Sequence, residues 1–83
     1  MDEQPLERIG RRIRAIRIEK LLRQEDLAAL LGIKRSRIGA IERGISEPGL
    51  LLAIAIARVL DADLNYVACI IDQPFPFLRS DGL

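Results

Sequence analysis

Residues 24–43, QEDLAALLGIKRSRIGAIER, carry two short helical patterns that meet at one glycine, Gly32. Leu27, Ala28, Leu30 and Leu31 form the apolar side of the first pattern, over residues 24–31. Ile38 and Ile41 form that of the second, over residues 34–43, with Ile33 entering the core from the turn. Glu25 and Asp26 lie in the first turn of the earlier helix, where acids complement the positive end of its dipole. Gly32 is placed to stop that helix with a left-handed cap. The later helix then carries Lys34, Arg35, Arg37 and Arg43 against a single acid, Glu42. A helix broken this early, followed by one loaded with cations, is the feature that any fold for this chain has to explain.

The flanking sequence is helical as well. Ile9, Ile13 and Ile16 make one stripe along residues 6–20, and Pro5 suits a helix start, where its missing N–H costs nothing. Residues 45–48 predict a loop, and residues 49–60, GLLLAIAIARVL, a fourth helix begun by Pro48. Asp63 is a good N-cap for a fifth helix through Leu64, Val67, Ala68 and Ile71. Pro74 and Pro76 then forbid helix, which leaves residues 72–83 as an extended tail. With 83 residues the chain has room for one domain. The expected fold class is all-α, a compact five-helix domain over residues 1–71 with short connections, followed by the tail.

Composition narrows the chemistry. Histidine is absent, which removes Ser-His-Asp sites, Cys-His sites and the common zinc ligand sets. Ser36 and Ser46 have no histidine to activate them, so neither an enzyme nor a metal or other cofactor is expected. Cys69 is the single cysteine, so no internal disulfide can form, and it reads as a small buried residue of the fifth helix rather than as a redox switch. The acidic start (Asp2, Glu3, Glu7) has the wrong sign for a signal peptide. The most apolar stretch, residues 50–60, falls short of the roughly 20 residues that span a bilayer. A cytoplasmic protein with no membrane association is the expectation.

The net charge of +1 conceals a polarised molecule. Residues 8–43 hold eleven basic residues against four acids, an excess of +7. The segments before and after that stretch each carry −3. Such asymmetry points to one half that faces a polyanion.

Two helices joined by a turn of about three or four residues containing glycine form a helix-turn-helix unit. The turn sets the second helix across the first so that it protrudes, and a protruding helix fits the DNA major groove, about 12 Å wide. The segment resembles the helix-turn-helix of the phage repressor and Cro class, the Xre-type family. Ala28 stands where that family has a small residue at the helix crossing, Gly32 at the turn glycine, and Gln24 at the glutamine opening the second helix. Leu27, Ile33, Ile38 and Ile41 match the apolar positions that hold the pair together. IGRRIRAIR at 9–17, IERG at 41–44, EPGL at 47–50 and the IARVL run extend the likeness over residues 9–67.

The resemblance implies roles for particular residues. Arg35, Ser36, Gly39 and Ala40 occupy positions where relatives contact bases, with Arg35 able to pair two-pronged with guanine. Gly39 and Ala40 are shorter than the polar residues common there and offer only close approach or a methyl contact with thymine. Gln24 corresponds to a residue that caps its helix over a phosphate and braces a base-reading side chain. Lys34 and Arg43, flanking the third helix, together with Arg11 and Arg23, are expected at phosphates. Arg37 points more sideways, to a phosphate or a salt bridge. Arg17 and Glu42 align with a pair that bridges the first and third helices internally.

Three positions depart from the family. Leu21 replaces a glycine, and Arg23 and Lys34 replace Ser or Thr caps. Relatives also carry polar residues at Leu51, Leu52 and Ala55. An apolar face there suggests an interface, and the tail adds Phe75, Phe77 and Leu78. The expected assembly is a homodimer built on the fourth and fifth helices, with the tail packed across it or onto the partner. The function implied is a sequence-specific transcriptional regulator, a dimeric repressor on a palindromic operator of double-stranded DNA. The alternative is the same fold used as a protein-binding module, in the manner of an anti-regulator or antitoxin-type partner.

Overall fold

The computed structural model describes residues 3–69. Among these it forms five helices and no strand: α1 (Pro5–Glu19), α2 (Gln24–Leu31), α3 (Arg35–Glu42), α4 (Leu50–Val59) and α5 (Leu64–Val67). Phe75, Phe77 and Leu78, assigned above to an interface, lie outside the described residues, as does the rest of the tail.

Several helix boundaries have a local cause. Pro5 opens α1, and the Gln4 N–H donates to the Glu7 carboxylate at 2.9 Å. Leu21 then turns the chain out of α1 with φ +61°, a left-handed conformation that disfavours a side chain. α2 lacks a capping hydroxyl, because Arg23 offers only donors. Half of a capping box compensates: the Arg23 N–H donates to Asp26 Oδ2 at 2.8 Å. Gly32 ends α2 with φ +69°, and Ile33 N–H reaches back to the Ala28 carbonyl at 3.0 Å. Asp63 Oδ1 accepts from Tyr66 N–H at 3.2 Å to start α5. That helix ends at Val67, and Cys69 turns left-handed at φ +67°; Ile71, expected in the same helix, lies outside the described residues.

The core draws on every helix. Ile13, Leu27, Ile38, Ile41, Ile56, Leu60 and Val67 are fully buried. Each such side chain contributes about 1.5–3 kcal/mol of burial free energy. Leu30 departs from expectation and is 61% exposed. Leu27, Ala28 and Leu31 share an arc of about 100°, whereas Leu30 falls about 60° to the other side of Leu27, at the rim of a groove between α2 and α4.

α1 and α3 meet backbone to backbone. A Cβ on Gly10 would stand 2.3 Å from the Ile41 carbonyl oxygen and 2.6 Å from that of Glu42. No other residue fits there without separating the helices. Arg12, also on α1, lies with its guanidinium 4.3 Å from the Tyr66 ring centre and donates to the Tyr66 carbonyl at 2.6 Å, which ties α1 to α5. No helix among the described residues is long and apolar enough to cross a membrane.

Candidate nucleic-acid interface

α3 turns Ile38 and Ile41 into the core and leaves Lys34, Arg35, Ser36, Arg37 and Arg43 exposed. Ala40 is half-buried. Gly39, expected on the open outer face with them, is buried. Its cover comes from side chains of neighbouring turns: a Cβ at that position would lie 3.1 Å from Arg43 Nη1 and 3.7 Å from Gln24 Oε1.

Beneath this surface lies one buried ion pair. Arg17 donates from Nε to Glu42 Oε2 at 2.6 Å and from Nη2 to Oε1 at 3.0 Å. Its remaining Nη1 donates to the Leu22 carbonyl at 2.7 Å. The bonds to Glu42 hold the Arg17 guanidinium above its ordinary pKa, with burial pulling the other way. Glu42 Oε1 also accepts from Gln24 Nε2 at 3.0 Å. One carboxylate therefore joins α1, α2 and α3. Because a carboxylate only accepts, Gln24 must turn its amide nitrogen inward, which leaves Oε1 facing Gly39.

The cations around α3 are not equally available. Glu25 sits 3.8 Å from both Arg23 and Arg35. Arg23 also holds Asp26 from Nε at 3.1 Å and Nη2 at 3.2 Å. Arg11 is engaged by Glu3 through bonds of 2.9 and 3.0 Å. Among the described residues Lys34, Arg37 and Arg43 have no side-chain hydrogen bond or ion pair, and all three residues are exposed.

On α4, Leu50 and Leu51 are exposed at 71% and 83%. Leu52, grouped with Leu51 and Ala55 from the sequence, packs instead against the core, and Ala55 is half-buried. Leu30 of α2 and Leu51 border the same shallow groove, with Ala55 and Arg58. Sequence reasoning missed Gly10, the tie of Arg12 to Tyr66 and the Asp26 cap. Only the last had a readable signal, an acid three residues after the residue preceding the helix.

Comparison with known proteins agrees with this fold. The helix-turn-helix family model matches residues 13–67. The chain is 40% identical over 58 residues to the HTH-type transcriptional regulator y4dL of Sinorhizobium fredii, which covers 70% of this chain and 30% of that one. It is 32% identical over 72 residues to the HTH-type transcriptional regulator YobD of Bacillus subtilis, covering 87% and 64%. The chain thus spans less than two thirds of the length of either relative. Among solved structures it resembles the restriction-modification controller protein C.AhdI of Aeromonas hydrophila, with a TM-score of 0.71, 37% identity, and 75% and 94% of the two chains covered. The SinR/SinI complex is similar with a TM-score of 0.68 and 28% identity, covering 89% and 70%. This chain belongs to the Xre and Cro-like helix-turn-helix family, whose members are DNA-binding transcriptional regulators.

Proposed function

We propose that the protein is a dimeric repressor that places α3 of each protomer in successive major grooves of a palindromic operator, about 34 Å apart. The observation that carries this reading is the exposure of Arg35 and Ser36 on a helix whose other face is locked by Ile38, Ile41 and Glu42. Arg35 takes guanine through O6 and N7, Ser36 a base or a phosphate, and the Ala40 methyl a thymine. Gly39 adds no side chain of its own. Lys34, Arg37 and the α2 N-terminus at Gln24 neutralise phosphates, with Arg23 and Arg11 joining once they exchange their acidic partners for the backbone. The dimer uses the exposed apolar surface of α4, centred on Leu51, with Ala55 beside it. Residues 72–83 act as a tail outside the DNA-binding unit.

Selection of bound sequences from random DNA at moderate salt tests the reading. A palindromic consensus is expected, and Arg35→Ala should cost about 1–3 kcal/mol and relax one position in each half-site. Equal binding to every sequence, or none to any, overturns it. Light scattering that gives a monomer at high micromolar concentration removes the dimer.

A second reading is favoured by the exposure of Leu30, Leu50 and Leu51 on neighbouring helices. In it, that apolar surface engages another regulator and the fold serves as a protein-binding module. Salt-dependent binding to random DNA separates the two, because only the first requires it.

A further inference from the structure

We infer that Arg43 is a base-reading residue, which fills the place that Gly39 leaves vacant on the outer face of α3. The inference rests on the DNA-binding reading above and extends it to a side chain that the sequence assigned to the phosphates.

Gly39 lies three and four residues beyond Ser36 and Arg35, so it shares their outward side of the helix. It is nevertheless buried, because the guanidinium of Arg43 lies over it. Side chains on a helix lean back toward the N-terminus and over the residue four before them, and Arg43 stands four after Gly39. The notional Gly39 Cβ is 3.1 Å from Arg43 Nη1 and 4.0 Å from Cζ. Any side chain at position 39 would contest that space. The glycine is thus a notch, and the arginine lies in it.

Two features suit this arginine to reading rather than to simple neutralisation. Its donors are unspent: Arg43 has no side-chain hydrogen bond or ion pair among the described residues, whereas Arg35 shares Glu25 and Arg23 holds Asp26. It also has a fixed neighbour. Gln24 is anchored through Nε2 to Glu42, which Arg17 holds in turn, and so its Oε1 borders the same notch at 3.7 Å from the notional Cβ. That acceptor lines the notch without bonding Arg43, so the guanidinium keeps its whole planar fork free for a ligand. A planar fork is what bidentate recognition of guanine O6 and N7 requires, while a phosphate needs only charge.

The test compares sequences selected from random DNA by the full chain, by Arg43→Lys and by Gly39→Gln. Arg43→Lys keeps the charge and loses the fork. It should keep the rest of the consensus but lose a guanine preference of about tenfold at one position per half-site. Gly39→Gln should relax the same position by displacing the guanidinium. Arg43 is exposed, so its lysine variant keeps the fold and carries the test even where Gly39→Gln does not. An Arg43→Lys consensus identical to that of the wild type, or a uniform weakening on all sequences, overturns this inference alone. A wild-type protein that selects no sequence overturns it together with the proposed function.

Discussion

Arg17 and Glu42 join α1 to α3 through two hydrogen bonds, 2.6 and 3.0 Å long, with both side chains almost fully removed from water. Breaking one half of such a pair strands the other charge in a poorly polarisable site. Arg17→Met should therefore destabilise the protein by about 3–5 kcal/mol in urea unfolding. The double variant Arg17→Met/Glu42→Met should recover much of that loss, because no buried charge is left unpaired. A single variant as stable as the wild type would show that the pair contributes nothing.

Leu21 is the converse case, a residue whose removal should help. It holds φ +61° with 90% of its surface exposed, so it bears steric cost with little burial in return. Leu21→Gly should raise stability by about 0.5–1 kcal/mol, even after the greater freedom of glycine in the unfolded chain is counted. A thermal midpoint that stays level or falls would contradict this.

Gly10→Ala probes the contact between α1 and α3. A methyl group placed 2.3 Å from the Ile41 carbonyl oxygen has no flexible neighbour to displace, because the obstacle is backbone. The helices must part, at a cost of about 1–3 kcal/mol or more. DNA affinity should fall along with stability, since α3 is the element that moves. Normal stability in the variant would mean that the two helices are not in contact.

Asp26 gives a pH signature. The Arg23 guanidinium, and then the Arg23 backbone N–H, hold its carboxyl below the ordinary value of 3.8. A carboxylate with a lower pKa in the folded state stabilises the fold above its unfolded pKa and loses that contribution as pH falls through the folded pKa. The stability difference between wild type and Asp26→Asn should be constant near neutral pH and shrink as pH falls below the ordinary carboxyl value of 3.8. A difference that stays constant into that range would remove Asp26 as the cap of α2.

The helical plan was legible because isoleucine and leucine spacing marks the inner face of each helix and because Gly32 and Asp63 sit where local geometry demands them. The departure at Leu21 was legible too, as a leucine in a glycine position. Gly39 and Leu30 were not. Whether Gly39 is open depends on which way an arginine four residues later lies, and whether Leu30 is covered depends on which side of α2 meets α4. Gly10 gave no signal either, because how closely two helices approach is decided by their packing and not by the spacing along one of them. The α3 surface could be read as a set of residue types; its arrangement, with Arg43 over the glycine and Gln24 turned by Glu42, belongs to tertiary structure.

Glu42 accepts from both Arg17 and Gln24, so a single carboxylate fixes how three helices stand relative to one another. A ligand that meets such a surface finds it already assembled. Little conformational entropy is then left to lose on association, and a small chain can keep more of its contact energy as affinity.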